Sequence, residues 1–215
     1  MTEMAGMRII SGIYGGLTIK AVAGTTTRPT TDRVREAWAS TMLSLLPEGF
    51  DELRVLDAFA GSGALGLEAL SRGAASVVFC ENNRNAAKAL RENIDRLGVP
   101  SSGYSVLQTD VFTGKALSEL DRLKPFDAVL LDPPYALPAK KIYDLVGSLS
   151  ARGLLSEGCL ISYEHAAGKT ALSGKVDRKT GHSAKQTPAD AYNSGLELIS
   201  CKTYGSTAIE YFVRT

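Results

Sequence analysis

From Leu53 onward, apolar runs of strand length alternate with segments whose apolar positions recur at helical spacing. The runs predict strands at Arg54–Ala58, Val77–Glu81, Ser105–Asp110, Asp127–Asp132 and Leu160–His165, with helices over about 64–72, 84–97, 115–123 and 139–150. This alternation is the signature of β-α-β winding, and it predicts an α/β protein with a doubly wound, mostly parallel sheet. Ahead of it, Arg8 to Val22 holds two short β-branched runs around Tyr14-Gly15-Gly16, which predict a β-hairpin. Thr31 or Asp32 then sits at the N-cap of a helical pattern, Val34, Ala37, Trp38, Met42 and Leu45, that should end near Pro47. After Gly168 a long polar stretch lacks apolar periodicity and reads as a loop. Leu196–Cys201 and Ala208–Val213, on either side of Tyr204-Gly205-Ser206, predict a second hairpin that closes the sheet edge antiparallel. The chain thus divides into a hairpin-and-helix extension, 1–50, and a sheet domain, 51–215.

Composition narrows the class. A chain of 215 residues, 44% hydrophobic and 22% charged, suits one folded domain with a small appendage and excludes general disorder. No apolar run approaches the roughly 18 residues of a membrane span, and Met1 to Ile10 lacks an apolar secretory region, so a soluble cytoplasmic protein is expected. Cys80, Cys159 and Cys201 are odd in number and far apart in apolar surroundings, which predicts buried thiols and no metal site.

Net charge is only +1, against a surface that grips nucleic acid everywhere. The distribution says more. Residues 8–35 carry Arg8, Lys20, Arg28, Arg33 and Arg35 against Asp32, and residues 168–186 carry Lys169, Lys175, Arg178, Lys179 and Lys185 against Asp177. Each segment is net +4, which leaves the remainder at −7: two basic segments flank an acidic middle.

In a doubly wound sheet, ligands bind beyond the carboxyl ends of the strands, so the residues after each run carry the chemistry. The first run leads into Asp57-Ala58-Phe59-Ala60-Gly61-Ser62-Gly63-Ala64-Leu65-Gly66, a literal G-x-G-x-x-G. Glu81 follows 20 residues after Gly61, where a carboxylate can accept from both hydroxyls of a ribose. Asp110, closing the third run, can accept from an adenine amine, so the three strand ends together imply an adenosine-bearing cofactor.

The fourth run delivers Asp132-Pro133-Pro134-Tyr135 beside the glycine turn. With φ fixed and no N–H at either proline, the turn presents carbonyl oxygens in a set direction, Asp132 adds a carboxylate, and Tyr135 offers an aromatic face. That set suits a planar ring with an exocyclic amine, its N–H groups held by the acceptors and its ring stacked on Tyr135. The turn by itself does not choose between guanine and adenine.

These motifs resemble the S-adenosylmethionine-dependent amino-methyltransferases. Met7-Arg8-Ile9-Ile10-Ser11-Gly12, Arg28-Pro29-Thr30-Thr31-Asp32-Arg33-Val34-Arg35-Glu36-Ala37 and Gly66-Leu67-Glu68-Ala69-Leu70-Ser71-Arg72-Gly73-Ala74 resemble, more narrowly, the RsmD family, which methylates a guanine N2 of bacterial 16S ribosomal RNA. The resemblance runs from Met7 to about His165 and resumes at Tyr204-Gly205; residues 168–195 depart from it, and the six residues before Met7 read as an upstream extension. It implies a Rossmann-like methyltransferase that uses S-adenosyl-L-methionine. Glu81 then takes the ribose, Asp110 the adenine amine, and Asp57 with Gly61 and Gly63 the methionine end, with Phe59, Asn82 and Val111 also at the cofactor. Asp132, Pro133, Pro134 and Tyr135 become the catalytic turn. Arg28, Thr30, Thr31, Arg33 and Arg35 become RNA contacts, and the partner becomes 16S ribosomal RNA, free or within a small-subunit particle. Guanine's amine is a weak nucleophile because its lone pair is delocalised, so acceptors at Asp132 and the Pro133 carbonyl should favour a pyramidal nitrogen in the transition state. Helix-surface pairing of Arg33 or Arg35 with Asp32 or Glu36 is the competing role for those arginines.

A nicotinamide-dependent oxidoreductase is the alternative from another class. The glycine fingerprint and Glu81 favour it, but it leaves Asp132-Pro133-Pro134-Tyr135 unexplained. An RNA-binding module without catalysis accounts for the basic segments and leaves the acidic strand ends without a role. His165 and His182 have no partner pattern for hydrolysis or metal binding, and read as structural or solvated.

Overall fold

The structure, a computed structural model, describes residues 7–22, 31–123, 125–168 and 195–215. Arg28, Thr30, the residues before Met7 and the basic stretch from Lys169 to Lys185 lie outside them. The chain opens with β1 (Met7–Arg8) and β2 (Thr18–Ile19), a two-stranded antiparallel hairpin, followed by α1 (Asp32–Leu45). Thr31 is the N-cap of α1, its side chain accepting from the Val34 N–H. Next come β3 (Arg54–Asp57), α2 (Ala64–Ser71), β4 (Ser76–Cys80), α3 (Arg84–Leu97), β5 (Tyr104–Leu107), α4 (Gly114–Leu120), β6 (Phe126–Leu131), α5 (Ala139–Ala151), β7 (Leu155–Ala166), β8 (Leu196–Tyr204) and β9 (Thr207–Arg214).

These last seven strands form one sheet in the order β5-β4-β3-β6-β7-β9-β8, all running in one direction except β9, which is antiparallel to β7 on one side and to β8 on the other. The expected doubly wound sheet is therefore present, and the C-terminal hairpin closes its edge by inserting β9 beside β7. A dinucleotide-binding fold made of two parallel halves has the order 3-2-1-4-5-6. Here the second half has two parallel strands and then reverses direction.

Several predicted boundaries move, the helix expected over 115–123 ending at Leu120 and the strand expected over 196–201 running on to Tyr204, and two of the shifts have a local cause. β5 ends at Leu107 rather than Asp110, because Asp110 leaves the sheet for a turn in which its Oδ1 accepts the Phe112 N–H at 3.1 Å. β7 starts at Leu155 rather than Leu160: Ser156-Glu157-Gly158 looks like a turn but is a bulge, where the register shifts between Phe126 and Ala128 and Gly158 takes φ +73°.

The sheet buries one apolar cluster on each face. Leu56, Val78, Val129, Leu131 and Ile161 pack under α5 residues such as Ile142, Val146 and Leu149. On the other face Val55, Val77, Phe79 and Leu130 meet α2 and α3, and Ile9, Ile19, Trp38 and Met42 join the same cluster. The described part of the first fifty residues thus shares a core with the sheet. Fully buried Glu68 on α2 anchors the hairpin, accepting the Ile10 N–H at 2.7 Å and the Ser11 N–H at 3.2 Å, and Arg72 neutralises it. Asn93 on α3 joins Lys20 to the glycine turn by accepting the Lys20 N–H and donating to the Lys20 and Ser62 carbonyls. Cys80 and Cys159 are buried as expected, whereas Cys201 on the edge strand is half-buried. No helix among the described residues is long and apolar enough to cross a membrane.

Candidate active site

The strand order reverses between β3 and β6, and the two motifs of interest leave the sheet at their carboxyl ends. Asp57 is level with Leu130 and Leu130 with Ser162, so Asp57, Asp132 and Glu164 project from one face of three adjacent strands, β3, β6 and β7. Their carboxyls form a row across the switch point. Burial drives the Asp57 carboxyl up to about 7; its bond from the Gly66 N–H at 3.0 Å opposes that shift, and Glu81 adds to it. Asp132 is held well above the ordinary carboxylate range by burial, then by Glu164 and Asp57 nearby. Glu164 is only 6% exposed.

The glycine turn is braced by the carboxylates around it. Glu81 accepts the Gly61 N–H at 2.7 Å through Oε2 and the Asn83 N–H at 2.6 Å through Oε1, tying the ends of β3 and β4 together. Gly63 caps α2 at φ +87°, where a Cβ would lie 2.4 Å from Leu90 Cδ1. At Gly66 a Cβ would meet Phe79 Cε1 at 2.3 Å, so this glycine sets the approach of α2 to β4. Gly66→Ala is expected to cost about 1–3 kcal/mol of stability by overpacking, measured as a lowered denaturation midpoint with an unchanged slope.

The remaining expected cofactor residues surround this turn. Phe59 packs against Phe112 with ring centroids 5.9 Å apart, and Val111 is buried behind them. Asp110 and Asn82 are exposed on the turns after β5 and β4. Asn83, next to Asn82, caps α3 through bonds from the Asn85 and Ala86 N–H groups. The structure therefore brings Asp57, Phe59, Gly61, Gly63, Glu81, Asp110 and Val111 to one end of the sheet, with Asn82 at its rim.

On the other side of the switch point, Pro133, Pro134, Tyr135, Leu137, Tyr163 and Glu164 border a cavity of about 180 Å³. Tyr135 is 39% exposed, and its hydroxyl donates to Glu164 Oε1 at 3.0 Å and lies 3.0 Å from Thr207 Oγ1. Burial of that hydroxyl pushes it up to about 12, so it stays a donor. Neither Glu164 nor Thr207 is among the residues expected from the motifs. Glu164 sits inside an apolar strand pattern, and Thr207 is more than 70 residues from Tyr135 in sequence.

His165 is 5% exposed and bonds through Nδ1 to the Ala166 carbonyl at 3.0 Å, with Nε2 3.7 Å from buried Glu210. Burial acts to lower its pKa, but Glu210 and the Ala166 carbonyl outweigh it and the net shift is upward. It is buried rather than solvated and also lines the cavity beside Glu164. Tyr143 donates to the other Glu210 oxygen at 3.1 Å.

The expected RNA contacts separate. Thr31 and Arg33 are exposed at the start of α1. Arg35 is a correction: it is fully buried and pairs with Asp32 at 2.5 Å, so its guanidinium does not face a phosphate path. The inward face of α1 is Arg35, Trp38, Ala39 and Met42, and Trp38 donates to Ser162 Oγ at 3.2 Å, which fixes the helix's rotation. The competing helix pairing expected for this arginine is the one found.

The family described as Conserved hypothetical protein 95 matches residues 7–193. The Bacillus subtilis protein YlbH is 38% identical over 160 residues, 74% of this chain and 82% of its own length. This chain belongs to that family. The chain is also similar to the ribosomal RNA small subunit methyltransferase D of Escherichia coli strain K12, 34% identical over 74% of each chain. Among solved structures, the Escherichia coli protein yhhF aligns with a TM-score of 0.68 at 27% identity, over 97% of this family member and 98% of that chain.

Proposed function

We propose that this protein transfers a methyl group from S-adenosyl-L-methionine to the exocyclic N2 of a guanine in 16S ribosomal RNA. The observation that carries the proposal is the row of Asp57, Asp132 and Glu164 across the switch point. S-adenosylmethionine bears a cationic ammonium and an electrophilic methyl on a sulfonium; Asp57 at the glycine turn favours the first charge, and Asp132 and Glu164 beyond it favour the second, which S-adenosylhomocysteine lacks. A nicotinamide cofactor would bring a pyrophosphate to the same helix N-terminus. There the Asp57 carboxyl already takes the Gly66 N–H, and anionic phosphates would be repelled. The antiparallel β9, inserted between β7 and β8, also departs from the dinucleotide fold.

In this reading Glu81 turns to the ribose hydroxyls, Asp110 to the adenine amine, and Phe59, Asn82 and Val111 line that end of the groove. Asp57 with the turn at Gly61 and Gly63 holds the methionine end. Asp132 and the Pro133 carbonyl hold the amine of a flipped-out guanine stacked on Tyr135. Once methylated, the amine is briefly cationic and acidic and gives its proton to Asp132 or water. Thr31 and Arg33, with Arg28 and Thr30, meet the flanking phosphates from the N-terminal extension. Membership beside the small-subunit methyltransferase D relatives supports 16S RNA as the partner and a cytoplasmic setting.

Calorimetric titration with S-adenosylhomocysteine and with NAD tests the cofactor. The first is expected to bind and the second not; the reverse overturns the reading. The affinity should also fall with pH. A carboxyl that titrates near 7 is charged above that value and neutral below it, and only the charged form attracts an ammonium. Binding should therefore weaken by up to about tenfold per pH unit below 7 and level off above it. An affinity that is flat from pH 6 to 8 removes Asp57 from that role.

A further inference from the structure

The proline turn accepts any exocyclic amine, and something else must distinguish guanine from adenine. The geometry points to Glu164 as the residue that selects guanine, by accepting its N1–H beside the N2 amine held at Asp132. This rests on the proposed reading of the turn as a base site.

The argument starts from register. Leu131 pairs with Tyr163, so Asp132 and Glu164 are the next residues out on neighbouring parallel strands, on the same face. Adjacent strands lie about 4.8 Å apart, so the two carboxyl groups are neighbours, Glu164 in the cavity wall and Asp132 directly before Pro133, which also lines it. The hydroxyl of Tyr135 ties the aromatic platform to Glu164 at 3.0 Å, so a ring stacked on Tyr135 has its edge at the Glu164 carboxylate.

The two purines differ there. Guanine presents adjacent donors, the N2 amine and N1–H, to two adjacent carboxyl groups. Adenine, with its amine at Asp132, turns the lone pair of its N1 toward Glu164, an acceptor against an acceptor in a buried site. Sites built to bond a substrate N–H reject analogues lacking it far more strongly than apolar pockets reject a missing methylene. The discrimination therefore resides in a strand end outside the catalytic turn.

The test uses small-subunit ribosomal RNA from cells lacking this protein, and the same RNA with adenine in place of the nucleotide that the wild type methylates. Labelled methyl transfer to each is measured with wild type, Glu164→Gln and Glu164→Asp. Titration with S-adenosylhomocysteine, which lacks the sulfonium charge, checks that each variant is folded. Glutamine can donate to the N1 of adenine as well as accept from guanine, so Glu164→Gln should narrow the guanine-to-adenine ratio by at least about tenfold. Aspartate keeps the charge but retracts it by one methylene, so Glu164→Asp should slow guanine methylation and still reject adenine; it carries the test alone if the glutamine variant fails to fold. An unchanged ratio in a folded Gln variant, or an Asp variant with wild-type guanine rates, overturns the assignment of Glu164. Wild-type label on an atom other than a base amine overturns instead the function on which it rests.

Discussion

Asp132→Ala should bind S-adenosylhomocysteine as tightly as the wild type yet transfer methyl groups at least about 10²-fold more slowly in a single turnover. Asp132 stands at the end of β6, on the side of the switch point away from the Glu81-braced glycine turn, so its loss leaves the cofactor contacts in place. Its acceptor role is strongest when the amine nitrogen becomes pyramidal and gains positive charge, which places its effect on the transition state. Stability should not suffer. The carboxyl is held among Glu164 and Asp57, so removing it relieves repulsion rather than leaving a partner orphaned. A variant that loses cofactor affinity in step with rate would place Asp132 in the cofactor site instead.

Glu81→Ala should produce the opposite split, a large loss of cofactor affinity. The carboxylate bonds the Gly61 and Asn83 N–H groups and is the acceptor proposed for the ribose, so its removal both frees the turn and deletes a charge-assisted bond. A loss of about 1.5–3 kcal/mol is expected, or roughly 10–150-fold in the dissociation constant. Glu81→Gln should fall between the two, since an amide oxygen accepts without charge. Titration calorimetry reads both; a dissociation constant unchanged in the alanine variant removes Glu81 from the site.

Which parts of this arrangement the chain announces follows from how local each signal is. The glycine turn, Glu81 and the proline turn are each specified by a few consecutive residues after an apolar run, and winding rules place such residues at one end of the sheet. The helix over 84–97 was legible to the residue because Asn83 caps it and Gly98 ends it in a left-handed conformation. Glu164 was not legible: its meaning comes from β7 lying beside β6 in a register that no local pattern encodes, and from a tyrosine 29 residues earlier. Arg35 misled for the same reason. Its neighbours Thr31 and Arg33 are exposed, and only the docking of Trp38 on Ser162 turns it inward toward Asp32. The extension, 1–50, read as a separate unit, yet Glu68 and Asn93 bind it to the sheet domain through backbone groups, contacts that composition does not reveal.

The central claim is that the row of carboxylates at the switch point serves methyl transfer to a guanine amine. The direct measurement is mass spectrometry of nucleosides from small-subunit ribosomal RNA of cells lacking this protein, after incubation with it and labelled S-adenosylmethionine. The account predicts label on the N2 of a guanine and nowhere else, appearing at least about 10²-fold more slowly with Asp132→Ala. Label on a ring carbon or a ribose hydroxyl would contradict the amine mechanism, and label on adenine N6 would contradict the guanine assignment.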